Sequence, residues 1–247
     1  MIVAAFSATQ IAVVAGVVLF SAMVTAVAGF GFGLMSVPLM SLAIDIHSAV
    51  IVSSLVAVFA NGTQAYLYRR ARDHRLAIRL SLACYLGLPI GYVAFELIGD
   101  DALRIALGVG VIVAVIMLSR GLDLAHYGPR MDWVLGFVSG VLNTSISTSG
   151  PPLVFDLQAR KLQPEAFRAT INTVFLISGA GGLVIFWLGD KIHAAELQAG
   201  AAATPALAIG LLAGMPLRKR FPPDRFRVLV MVLLVASAVA AVAKSFT

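Results

Sequence analysis

The residues with most chemistry to offer lie where an apolar chain should carry none. The stretch NTSISTSGPP, Asn143 to Pro152, puts six hydroxyl or amide side chains into seven residues and follows them with Gly-Pro-Pro, inside a long apolar run. Gly and Pro open a helix there, and a helix restarting near Pro151 would expose its first N–H groups. With the aligned peptide dipoles that end carries roughly +0.5 charge, which attracts anions. Ser147, Thr148 and Ser149 can serve both as caps and as ligand donors. A second break, GFGFG from Gly29 to Gly33, would start another half-helix near Leu34, with Gly31 and Gly33 letting backbone come close to a ligand. The chemistry expected is the binding of a small anion by N–H and hydroxyl donors without a buried Lys or Arg.

The expected substrate-binding set is Gly31, Gly33, Asn61, Gln64, Asn143, Ser145, Ser147, Thr148, Ser149, Gly150, Thr170 and Asn172, with Thr63 and Thr173 beside them. Any one of these also suits helix packing in a membrane, where small residues permit close approach and hydroxyls bond back to their own helix. Asn61 and Asn172 taken alone read as structural hydrogen-bonders. What favours a ligand site is the whole constellation, repeated in both halves of the chain.

Other chemistries are argued against by what is missing. His47, His74, His126 and His193 lie at segment ends or loops, so neither an intramembrane metal site nor a haem ligand is expected, and no base stands near Ser147 or Ser149 for an intramembrane enzyme. No catalytic residue and no cofactor is assigned. No Asp or Glu sits in the middle of a crossing segment, which argues against a cation pathway; Asp156 and Asp45 are the nearest acids and could carry a coupling proton. Cys84 is the single cysteine, so no internal disulfide can form.

The elements that must position these residues follow from composition. The chain has 247 residues, 60% hydrophobic and 12% charged, far from a soluble domain. Apolar segments cover about 8–44, 48–68, 76–99, 102–119, 133–157, 166–188, 194–217 and 226–243. They lack the two-residue alternation of a barrel, so the expected class is an all-α integral membrane protein. The formal charge of +6 is confined to connecting loops and reads as a topology signal, with no nucleic acid implied. The start, MIVAAFSATQ, has no basic n-region and reads as mature protein.

Sliding one half over the other aligns Pro38-Leu39 with Pro152-Leu153, Phe59 with Phe175, Gly91 with Gly214, Asp101 with Asp224 and Arg104 with Arg227. Two repeats are expected, 1–122 and 123–247, each of four hydrophobic segments, with Gly29, Gly31 and Gly33 lying over Asn143, Ser145 and Ser147. Arg69, Arg70, Arg72, Arg75 and Arg79 cluster after segment two, and Arg218, Lys219, Arg220, Arg225 and Arg227 after segment seven. Both loops should be cytoplasmic, yet five full crossings between them would put them on opposite sides. One segment therefore turns back. Segment five, opened by Gly and Pro, is the candidate, and segment one should do likewise although about twenty apolar residues precede its break. Arg160, Lys161 and Arg168 then fall inside, and Asp100, Asp101, Asp190, Lys191 and Glu196 outside. Three crossings and one re-entrant hairpin per unit make the repeats inverted, an arrangement recurrent in secondary transporters.

GFGFGLMSVPLM in the first half and STSGPPLVFDLQARKLQPEAFRATINTVF in the second resemble the paired signatures of the TauE/SafE family of sulfite and organosulfonate transporters. The first motif falls on Gly29, Gly31, Gly33 and Pro38, and the second on Gly150 and Pro152, with FRAT on Phe167 to Thr170. The resemblance implies a multi-pass carrier of the bacterial inner membrane for sulfite, sulfoacetate or a related anion, usually an exporter. This chain has Ser145, Ser147, Thr148 and Ser149 where glycines are frequent in the second motif, so hydroxyls would replace some backbone donors and narrow the site. Besides the anion and the lipid bilayer, a coupling proton or sodium ion and a homodimer are the partners left open. The alternative function is a membrane subunit that passes sulfur or a signal to a partner protein without transporting a free anion.

Overall fold

The computed structural model describes residues 6–120 and 128–220, with Val232, Val235 and Val239 beyond them. Segment eight apart from those three positions, and with it Asp224, Arg225 and Arg227, lies outside the described residues, as does His126. Among the described residues there are only helices: α1 Ala8–Ala28, α2 Phe32–Met40, α3 Ile46–Leu67, α4 His74–Leu97, α5 Asp100–Arg120, α6 Gly128–Ile146, α7 Gly150–Ala159, α8 Pro164–Leu188 and α9 Ala194–Arg220, with a short 3₁₀ turn at Arg69–Ala71. Five of them, α1, α3, α4, α8 and α9, are long and apolar enough to cross a membrane.

Local sequence sets the starts. Ser7 and Gln10 form a reciprocal capping box ahead of α1. Asp45 and Asp73 accept from the N–H groups of Ser48 and Leu76 to cap α3 and α4, and Pro164 opens α8. Segments one and five each divide into a long and a short helix. One residue past each long helix, Gly29 and Ser147 take left-handed backbone, at φ 91 and 51, which stops the helix and turns the chain.

Both divided segments fold back on themselves. Gln10, in the first turn of α1, donates to the carbonyl of Ala43 just past α2 at 3.1 Å. Asp132, near the start of α6, pairs with Arg160 at the end of α7. Each long–short pair is therefore a hairpin whose two outer ends meet.

The hairpins sit among crossing helices packed through small residues. α4 lies along α6 and α1 along α9, while α3 and α8 pack at the centre. Added β-carbons at Gly87 and Gly91 would strike the backbone of α6, and at Gly210 and Gly214 the backbone of α1; each pair is spaced i, i+4, the spacing that lets membrane helices approach closely.

Helix ends gather at two poles. At one, His47 bonds the Phe95 carbonyl at 3.0 Å and pairs with Asp100, Lys191 pairs with Glu96, and Ser48 donates to Glu196. At the other, Arg72 donates to Thr173, the Asp73 N–H to Thr170, and Arg79 and Arg160 both reach Asp132. The first hairpin has its outer ends toward the first pole, and the second toward the basic one.

Candidate anion site

The inner ends of the two hairpins meet. Gly33 packs so closely on the backbone of Ser147 that a β-carbon there would land on the Ser147 carbonyl oxygen. Around this crossing lies a cavity of about 40 Å³ lined by Gly31 to Leu34 of the first break, Ser147 to Gly150 of the second, Ser54, Ala57, Val58 and Asn61 of α3, Asn143 of α6, and Phe175 and Gly179 of α8. Ser54, Phe175 and Gly179 stand near the middle of α3 and α8, so the cavity is halfway through the bundle.

Two serines of α3 join the breaks. Ser53 Oγ is 2.6 Å from Ser36 Oγ and holds α2, while Ser54 Oγ donates to Ser147 Oγ at 3.1 Å. The adjacent Ser53-Ser54 pair, polar within an apolar run, is the sequence signal for this pair of contacts.

The two helix starts offer different donors. The first helical bond of α2 is from the Met35 N–H to the Gly31 carbonyl, 3.1 Å, so the N–H groups of Phe32, Gly33 and Leu34 are left over at its N-terminus. No side chain caps it. α7 likewise lacks a side-chain cap, contrary to the capping role expected of its serines. Its second and third residues are Pro151 and Pro152, which have no N–H, so of the three positions left over at its start only Gly150 carries a donor. Hydroxyls stand where those donors are absent. Ser147 accepts from Ser54 and keeps its own proton available, and no described residue bonds the Ser149 hydroxyl or the buried Asn61 amide. Thr148 Oγ1 is turned to the Ile146 carbonyl.

Of the expected set, Gly31, Gly33, Asn61, Asn143, Ser147, Thr148, Ser149 and Gly150 line the cavity. Four do not, and each is occupied elsewhere. Gln64 donates to the Thr25 carbonyl and Ser145 to the Val141 carbonyl. Thr170 accepts from the Asp73 N–H, and Asn172 donates to the carbonyls of Gly29 and Arg168. These hold the frame: Asn172 and Gln64 clamp the end of α1, as does Arg168, whose guanidinium donates to the carbonyls of Ala26 and Val27 at 3.1 and 2.6 Å. A cation on the last carbonyls of a helix also suits its dipole. Asp45 is remote from the cavity, at the start of α3.

The glycines of the first break have separate reasons. Gly31 holds φ +98 with open space where a β-carbon would stand, so its requirement is conformational; Gly33 is required by the Ser147 backbone. The close approach that requires glycine at 33 is thus one between the two breaks. No Lys or Arg lines the cavity, and among the described residues no group of His, Cys, Asp and Glu is arranged to hold a metal.

The profile of the family described as "Sulfite exporter TauE/SafE" matches residues 14–241. The chain is 25% identical over 206 residues to the "Probable sulfite/organosulfonate exporter TauE" of Cupriavidus necator, covering 80% of this chain and 78% of that protein. It is 30% identical over 99 residues to the "Probable inner membrane transporter protein TsaS" of Comamonas testosteroni, covering 40% of this chain and 41% of that one. No solved structure matches. With nearly its whole length matched, the chain belongs to the TauE/SafE family of membrane transporters.

Proposed function

We propose that the protein exports sulfite or a similarly small oxyanion across the inner membrane, binding it between the two hairpin tips near the bilayer midplane. The observation that carries this reading is the meeting of two uncapped helix N-termini at one cavity. Three N–H groups of α2, that of Gly150, and the hydroxyls of Ser147 and Ser149 are donors for negative charge. Because no fixed cation is present, the anion is held by partial charges alone and can leave again.

Size favours the small end of the substrate range. A buried water needs roughly 10–15 Å³, and the cavity holds about 40 Å³. One four-atom oxyanion fits that space, and an organosulfonate would have to open it.

The inverted arrangement of the two halves is supported by the pairings. α1 with α9 and α6 with α4 are the same contact with the halves exchanged, α3 and α8 pair as counterparts, and the hairpins open toward opposite poles. The pole bearing Arg69, Arg70, Arg72, Arg79 and Arg160 is the cytoplasmic one by its charge. The hairpins then enter from the two sides of the membrane, and rocking of one unit against the other would expose the shared site alternately.

The test is flux of labelled sulfite and a series of sulfonates of increasing length in liposomes holding the purified protein alone. Saturable sulfite flux, falling off with sulfonate length, is expected. Flux that appears only on adding a partner protein would favour the alternative of a subunit that hands sulfur to that partner.

A further inference from the structure

At the basic pole, where the second hairpin closes, four charged side chains form a cluster that anion binding does not use. Asp132 of α6 is fully buried and holds two guanidiniums: Arg79 of α4 reaches its Oδ2 at 2.6 Å and Arg160 its Oδ1. Asp156 of α7 is 4% exposed and shares Arg160, whose Nε stands 3.5 Å from its Oδ2. That separation is too long for a good charge-assisted bond. Asp156 Oδ2 accordingly has no hydrogen-bond partner, although it is buried. Among the described residues, the charged groups facing Asp156 are Asp132 from α6, Arg160 from its own helix and, through Asp132, Arg79 from α4. From α8, which also packs on α7, Arg168 is turned to α1, and the described charges of α5 sit at the opposite pole.

We propose that Asp156 is a proton-binding site, taking up and releasing one proton in each transport cycle. The plainer reading is an ion-pair network that only fastens the hairpin. Asp132 answers to that description, with both oxygens paired. Asp156 does not, because a buried carboxylate oxygen left without a donor beside a second carboxylate is costly unless a proton supplies the missing bond. A proton added to Asp156 Oδ2 makes the carboxyl neutral and a donor, with Asp132 as the neighbouring acceptor. No other bond forms or breaks, and the four-group cluster goes from neutral to one positive charge. Arg160 is then left to Asp132 alone.

The cluster is wired to the anion site by one rigid element. Asp156 and the cavity-lining Gly150 are both on α7, six residues or about 9 Å apart. Water reaches the cluster through Arg79 and Arg160, whose side chains are each 33% exposed. A change of charge at Asp156 therefore acts on the helix whose N-terminus faces the anion, from the side read above as cytoplasmic.

This inference rests on the transport reading, and two measurements separate their failures. In purified wild-type protein, infrared difference spectra taken across a pH titration should contain a carboxyl C=O band that is absent from Asp156→Asn and present in Asp156→Glu. In proteoliposomes, net sulfite flux should respond to an imposed pH gradient in the wild type and in D156E. The residual flux of D156N should lose that response beyond what sulfite's own ionisation produces. A wild type with no titrating carboxyl band, or D156N with the wild-type gradient response, overturns the proposal. If D156N does not fold, the wild-type titration alone decides. A wild type that shows the band but moves no sulfite defeats the substrate reading while leaving the proton site standing.

Discussion

Replacing Gly33 by alanine adds one methyl group, and the structure puts it on the Ser147 carbonyl oxygen, with the carbonyl carbon 3.0 Å and Ser147 Oγ 3.3 Å away. Ordinary contact between such atoms lies near 3.5–4.0 Å, so the two breaks would have to separate by more than an ångström. Neither partner can yield by changing rotamer. The obstacle is backbone, and Ser147 is already fixed in left-handed conformation at φ 51 with its hydroxyl tied to Ser54. Overpacking of this kind costs about 1–3 kcal/mol, occasionally more. Gly31→Ala meets no atom within 4 Å but must hold φ +98, a strain of roughly 1–2 kcal/mol. Both variants should insert and purify. Gly33→Ala should melt lower in detergent and bind sulfite at least ten-fold more weakly, because parting the breaks dismantles the cradle. Gly31→Ala should lose stability with a smaller effect on binding. Wild-type sulfite affinity in Gly33→Ala would mean that the two tips do not form one site, and would leave the hydroxyl-rich break to bind alone.

Three further outcomes follow from the same geometry. Ser147→Gly and Ser147→Ala both delete a hydroxyl donor and should weaken sulfite binding by roughly 1.5 kcal/mol or more, about ten-fold; only the glycine variant relieves the left-handed backbone, so it should melt higher than the alanine one. Unchanged affinity in both would assign the hydroxyl to packing. Arg168→Gln removes charged donors from the Ala26 and Val27 carbonyls and should lower stability by about 2–3 kcal/mol, with Arg168→Lys only partly restoring the melting temperature because the forked geometry is lost. Single cysteines in place of Arg70 and Lys219, in a Cys84-free background, should be labelled from the same side of the membrane and a cysteine replacing Asp101 from the other; any other grouping contradicts the hairpin reading.

Much of the frame was legible because it depends on composition and loop charge. The parity of the two arginine-rich loops required a turned-back segment, and α6–α7 is a hairpin closed by Asp132 and Arg160. The parity asked for one turned-back segment only; the expectation for segment one came from its being the repeat partner, and that segment is likewise divided, into α1 and α2. The register between the halves was less well read near the breaks. Matching Pro38 to Pro152 lays Gly33 over Ser147. In the structure the residues in matching places are Gly29 and Ser147, each one position past its long helix and each left-handed. Phe59 and Phe175, counterparts in the repeat, differ as sharply: one is 63% exposed and the other lines the cavity. Further along, Gly91 and Gly214 do share a role, each admitting a neighbouring helix. Side-chain partners were beyond reach. Nothing in the polarity of Gln64, Thr170 or Asn172 tells that each is spent on a backbone group of another segment, since that depends on which helix end lies opposite.

The unlike chemistry of the two breaks has a physical reason. A helix start lined by glycine can bind an anion through consecutive N–H groups, as α2 is placed to do with Phe32, Gly33 and Leu34. α7 begins Gly-Pro-Pro, which presets the helical backbone but deletes two of the three leftover donors. A glycine-rich approach to such a start would leave that side of the cavity poor in hydrogen-bond donors. Serines at 147 and 149 supply them from side chains instead, and Ser147 accepts left-handed strain to be there. Side-chain hydroxyls take up space that glycine would leave open, so the same substitution that restores donors also makes the cavity small. Donor count and size thus have a common origin in the proline pair, and on the proposed reading both favour a compact oxyanion.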